Sequence, residues 1–162
     1  MLSNTILALS LLPVSLAHFQ LNYPTARGFS ETQEGTFPCG GYNDVQAQRT
    51  DFPISGGAIQ LNLGHEQTNV AVYMAVGSNP GSSFNTVVRQ QFMVNGYGPF
   101  CLGQISVPAG MNISDGTQAT IQVMTNGEGG GGLYQVSRAG RMSEEHEELS
   151  RAFRLDFDVT PS

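Results

Sequence analysis

The stretch Ala58-Ile59-Gln60-Leu61-Asn62-Leu63-Gly64-His65 decides the fold. Ile59, Leu61 and Leu63 recur at every second position with Gln60 and Asn62 between them, the period of a strand with one buried face. Outward from it, Asn69-Val70-Ala71-Val72-Tyr73-Met74-Ala75-Val76 is apolar on both faces, as in a central strand. Ala119 to Met124 alternates again, Gln91-Phe92-Met93-Val94 reads as a shorter strand, and Leu133-Tyr134-Gln135 as the start of a last one. Turn chemistry separates them at Gly56-Gly57, Asn79-Pro80-Gly81, Asn95-Gly96, Pro108-Ala109-Gly110, Asp115-Gly116 and Asn126-Gly127. Short strands at this spacing, with no internal repeat, predict an all-β antiparallel β-sandwich.

Composition agrees. The 162 residues make about one domain, 40% hydrophobic and only 12% charged, with 20 Gly and 8 Pro. Seven arginines, no lysine and a net charge of −6 leave no basic footprint for nucleic acid or an anionic bilayer. Residues 1–17 read as a secretory signal peptide: Leu2 to Leu16 carries no charged side chain, is too short to span a bilayer, and ends in Ser15-Leu16-Ala17, with small residues at −3 and −1. Cleavage after Ala17 makes His18 the first residue of the mature chain. An oxidising compartment then suits Cys39 and Cys101 as a candidate disulfide, and Asn112-Ile113-Ser114 is a glycosylation sequon.

The C-terminal end differs. Past the flexible tip Gly127 to Gly132, residues 138 to 162 hold 10 Asp, Glu and Arg side chains, as many as residues 18 to 137 together. Ser143 to Arg151 predicts a short exposed helix with Ser143 as N-cap and acids in its first turn. Residues 136–162 are accordingly read as an atypical acidic tail, with intron read-through as its origin, and Asp156 and Asp158 lie in an alternating segment that suits an edge strand.

A chain beginning with histidine has particular coordination chemistry. The α-amine and Nδ1 of one residue close a chelate ring on a single ion, both nitrogens suit Cu(II), and the amine titrates near pH 8. A second imidazole across the ion completes a T-shaped three-nitrogen site, the histidine brace. His65, following a strand at the Gly64 turn, is the better-placed candidate; His146 sits among four glutamates.

His18-Phe19-Gln20-Leu21-Asn22-Tyr23-Pro24, Arg27-Gly28-Phe29, Phe37-Pro38-Cys39-Gly40-Gly41, Phe52-Pro53-Ile54-Ser55-Gly56-Gly57, Gly98-Pro99-Phe100-Cys101 and Leu133-Tyr134-Gln135 together resemble the fungal Bim1-like, or X325, copper proteins related to lytic polysaccharide monooxygenases. The resemblance runs from His18 to Gln135 and implies an immunoglobulin- or fibronectin-like sandwich, a domain over 18–135, and copper on His18 and His65. It also implies copper acquisition or handling at the cell surface rather than polysaccharide cleavage, often with a lipid anchor. The family continues Leu-Tyr-Gln with Cys-Ala-Asp, whose aspartate looks like the third side-chain ligand; here Val136-Ser137-Arg138 stands instead. That departure removes a cysteine and leaves no Ser-rich stalk and apolar tail for an anchor signal.

The expectation is therefore a secreted or cell-surface copper-binding protein, with copper ion and a cell-surface copper transporter as partners. A copper-dependent polysaccharide monooxygenase and a metal-free structural surface module are the alternatives. Asp44 reads as a turn residue, Arg27 as a surface salt-bridge former, Tyr23, Tyr73 and Tyr134 as core or sheet-face aromatics, and Met74, Met93, Met111 and Met124 as core filling. No Ser-His-Asp arrangement, phosphate loop, zinc cysteine pair or calcium loop is present in the sequence.

Overall fold

A computed structural model describes residues 18–127, 130–138 and 140–143. The described residues form a β-sandwich of nine strands: β1 (Phe19–Tyr23), β2 (Asp51–Pro53), β3 (Gly57–Leu63), β4 (Gln67–Val76), β5 (Thr86–Asn95), β6 (Gly98–Ile105), β7 (Gln118–Asn126), β8 (Gly132–Val136) and β9 (Gly140–Ser143). One sheet has the order β1-β3-β6; the other runs β2-β9-β7-β4-β5, with β8 also on β7. All pairings are antiparallel except β2 with β9, consistent with an immunoglobulin-like architecture.

The alternation read in the sequence sets which sheet faces meet. Phe19 and Leu21 of β1 and Ile59, Leu61 and Leu63 of β3 oppose Val70, Val72 and Met74 of β4 and Ile121 and Val123 of β7 in one buried cluster. Each such side chain contributes roughly 1.5–3 kcal/mol on removal from water. The other face of β4 is covered too: Ala75, with Tyr73 beside it, packs with Cys39, Phe84 and Val136 in a second cluster. That double burial is why β4 lacks the polar alternation of β3.

The long segment between β1 and β2 lies over this second cluster and is tied down by Arg27. Its guanidinium donates to the carbonyls of Asn43 and Ser78 at 2.8 Å each, and its backbone N–H donates to Val136 O at 2.9 Å. Arg27 is thus a buried clamp between loops rather than a surface salt-bridge residue. Met74 is fully buried as expected, but Met93 is exposed, because β5 is an edge strand with most of its side chains in solvent.

The sandwich also continues past Gln135. Val136 completes β8, and Ser143, the expected N-cap, ends strand β9, while the helix expected after it lies outside the described residues. In β9 Met142 inserts, with no exposed surface, into the main core. The acidic segment after Ser143, with His146, Asp156 and Asp158, lies outside the described residues, as does the expected signal peptide over 1–17.

Candidate metal centre

His18 stands immediately before β1, and the β1–β3 register fixes where it goes. Phe19 lies opposite Leu63, and the Gly64 N–H donates to His18 O at 2.9 Å. His65 is the next residue, half-buried in the turn from β3 to β4, so the pairing brings both histidines to one end of the three-stranded sheet. The turn from β5 to β6 reaches the same end: Gly98 pairs with Leu63, and Gly96 N–H donates to Glu66 O at 2.7 Å. Tyr97, 70% exposed, projects from this turn, a residue that the Asn95-Gly96 turn signal located without suggesting a role.

One nitrogen of the His18 ring is committed to the main chain. Nε2 lies 2.8 Å from Glu31 O, and since a carbonyl only accepts, Nε2 carries the hydrogen. Nδ1 is buried without a hydrogen-bond partner, and it is the nitrogen that carries the lone pair whenever the ring is neutral. A buried ring nitrogen left without a donor is costly in the bare protein and becomes an asset when it binds a cation. This is the ring nitrogen that the chelate expected from the sequence requires.

Beside it lies a carboxylate that sequence reasoning missed. Glu34 is 1% exposed. Its Oε1 accepts Phe19 N–H at 3.4 Å and Gln135 Nε2–H at 2.7 Å, while Oε2 is buried with no partner. Gln135 also spans the main chain of β1, donating from Nε2 to Phe19 O and accepting Leu21 N–H at 2.9 Å. Burial pushes the Glu34 carboxyl up to about 7, against the opposing pull of the bonds from Gln135 and Phe19 and of the nearby His18 charge. The polar run Ser30 to Glu34 has the composition of an exposed loop, and only the three-dimensional placement reveals its buried member.

The remaining candidates fall elsewhere. Arg138, where the resemblance puts a carboxylate ligand, donates from Nε to Ala26 O at 3.0 Å and from a terminal nitrogen to Gln48 Oε1 at 2.8 Å. Its backbone N–H donates to Thr25 O at 2.8 Å, so it sits beyond the end of β1 opposite His18. The expected Cys39–Cys101 bridge does not form: both thiols are free. Cys39 is enclosed in the second cluster with Val136, whereas Cys101 is exposed on β6 of the other sheet. Asn112 is exposed between β6 and β7, and Asp44 is exposed in the long loop. Among the described residues no three side chains of His, Cys, Asp or Glu converge as a metal cage. Two imidazoles completed by a main-chain amine still fit Cu(II), because the third donor of a brace is not a side chain.

The sandwich thus gathers His18 and the turn residue His65 at one end of the three-stranded sheet. The chain belongs to the family described as copper acquisition factor BIM1-like, whose model matches residues 16–137. Membership in that family implies copper binding. It is 40% identical over 131 residues to an uncharacterised protein of Aspergillus fumigatus, covering 78% of this chain and 54% of that one. It is 34% identical over 137 residues to copper acquisition factor BIM1 of Cryptococcus neoformans var. grubii, covering 76% and 59%. Lytic polysaccharide monooxygenase-like protein ham-7 of Neurospora crassa is 33% identical over 156 residues, covering 83% and 68%. The chain thus spans little more than half the length of the first two relatives.

Proposed function

We propose that the protein, trimmed to begin at His18, holds one copper ion through the His18 α-amine, His18 Nδ1 and a ring nitrogen of His65, and that copper is its cargo. It would capture or pass on copper outside the cell, with a cell-surface copper transporter as the recipient. The observation that carries this reading is the His18 ring: Nε2 is committed to Glu31 O, and Nδ1 is buried with nothing to bond. Glu31 acts through its carbonyl, fixing the tautomer and the ring plane, and the Gly64 amide fixes the main chain of His18 next to the His65 turn. Copper bound there would offset the unmet valence at Nδ1. The name of the Cryptococcus relatives supports acquisition as the task. Secretion fits the reading of residues 1–17 as a signal, and the exposed Asn112 sequon suits a glycan acquired on that route.

Intact mass of the secreted protein with and without copper tests the start at His18, the stoichiometry and glycosylation at Asn112 together. Cu(II) titration then tests the chelate. His65→Ala should weaken binding at least about tenfold, and a residue added before His18 should weaken it as severely, since the free amine is lost. An extended chain that binds copper as tightly as the mature one would defeat the brace. The relatives named for lytic polysaccharide monooxygenases define the competing outcome. Copper-loaded protein incubated with reductant, peroxide and cellulose or chitin is expected to release no oxidised oligosaccharides, and their appearance would make it an oxidase instead.

A further inference from the structure

We propose that Glu34 is the buried acceptor for the α-amino group of His18, a positioning residue that pins the new terminus where it and Nδ1 can share one ion. This rests on the reading of His18 as the mature first residue. The argument begins with the two oxygens of one carboxylate. Oε1 takes the N–H of Phe19 at 3.4 Å, while Oε2 is enclosed and bonds to nothing. The nitrogens of residues 18 and 19 are consecutive on the chain, so the free oxygen of a carboxylate anchored at the second is the proposed partner of the first. A pair of adjacent backbone nitrogens bridged by one anion is a familiar way of holding negative charge.

Before cleavage the nitrogen of His18 belongs to the Ala17–His18 peptide and has one hydrogen. Cleavage turns it into an ammonium group with three donors and a positive charge, the chemistry a buried, half-satisfied carboxylate lacks. On copper binding the amine loses one proton to solvent and gives its lone pair to the ion; it keeps two N–H groups, one of which remains on Oε2. Glu34 is itself held by Gln135 at 2.7 Å, and Tyr134 N–H donates to Glu34 O at 2.8 Å, so neither its side chain nor its backbone is free to drift. Outer-sphere partners that orient a ligand typically change metal affinity by about 10–100-fold.

Four chains test this: one starting at His18 and one with a single Ala before it, each as wild type and as Glu34→Gln. The amide keeps the volume and one acceptor oxygen but not the charge. In metal-free urea unfolding at pH 7, freeing the amine should raise the midpoint of the wild-type chain and leave that of E34Q unmoved. Mature E34Q should bind Cu(II) about tenfold more weakly, with a changed copper hyperfine splitting in its EPR spectrum. Should E34Q fold poorly, acetylating the α-amine of the mature wild-type chain removes the same pairing and should lower its midpoint to that of the Ala-extended chain. An equal gain from freeing the amine in both backgrounds, or acetylation without effect, overturns the proposal. Failure of the brace reads differently: the extended wild-type chain would then bind copper as well as the mature one, while the metal-free midpoints still decide the role of Glu34.

Discussion

Two atoms carry most of the chemistry at the scale of single residues, His18 Nδ1 and Glu34 Oε2, both buried and both unpartnered. The Glu34 carboxyl stands at about 7 in a chain whose residue 18 nitrogen is still a peptide nitrogen, against an ordinary glutamate value of about 4.3. The folded chain therefore holds this proton more tightly than the unfolded one. Its contribution to stability is complete below the unfolded value and is lost as the pH rises through the folded one. The metal-free, Ala-extended chain should lose on the order of 3 kcal/mol between pH 5 and 8 from this group, while E34Q loses little; urea midpoints across that range check it. A second residue-scale prediction concerns Val136, which stands where the resemblance puts a cysteine and packs in one buried cluster with Cys39. Val136→Cys should oxidise onto Cys39, remove one titratable thiol, and add about 2–4 kcal/mol that reductant abolishes.

Between elements, the device that matters is Gln135. From β8 it bonds Phe19 O and Leu21 N–H of β1 and the Glu34 carboxylate, so one side chain joins a strand of each sheet to the long loop. Gln135→Ala would leave two main-chain groups buried and unmet and the Glu34 carboxylate with only the long bond from Phe19 N–H, at about 2–4 kcal/mol. Denaturant unfolding measures that cost, and copper titration should show weaker binding, because β1 carries His18. Nothing in Leu133-Tyr134-Gln135 as a sequence distinguishes this glutamine from one on an exposed sheet face. The strands that were legible, β3, β4 and β7, are those whose burial is regular along the chain. β5 was seen only over its last residues because Arg89-Gln90-Gln91 breaks the alternation on an edge strand, where bulges at Val70 to Tyr73 also shift its register. β1, β2 and β9 are short, and long-range pairing defines them more than local pattern does. For the site, histidine is a signal by residue type, so His18 and His65 were legible as candidates, and the β1–β3 pairing brings them to one sheet end. Glu34 was not, since loop composition predicts exposure and its enclosure depends on β8 arriving from a hundred residues away.

Across the whole molecule, the boundary of the working fold is the open quantity. The family match ends at residue 137, yet the six-stranded sheet uses Gly140–Ser143, running parallel to β2 and antiparallel to the start of β7. Gly140 lies so close to Thr50 O and Phe52 Cβ that a Cβ added to it would sit 2.9 and 3.3 Å from them. Met142 fills the core without exposed surface beside Phe52, and its backbone N–H donates to Thr117 O at 2.8 Å while its carbonyl accepts Gly116 N–H at 2.8 Å. Whatever the origin of the acidic segment, these four residues behave as part of the sandwich. A mature chain ending at Ser143 keeps every contact described above. A chain ending at Ser137 loses the Met142 side chain, exposes Phe52 and leaves β2 unpaired, a change comparable to a large-to-small core deletion at about 2–5 kcal/mol. Because β9 lies on the sheet opposite β1 and β3, the copper affinity of the shorter chain should stay within a few-fold of full length wherever it is folded. Unfolding midpoints and Cu(II) titrations of the two truncations separate these effects, and a chain ending at Ser137 as stable as one ending at Ser143 would show that β9 is an ornament of the sheet rather than a wall of the core.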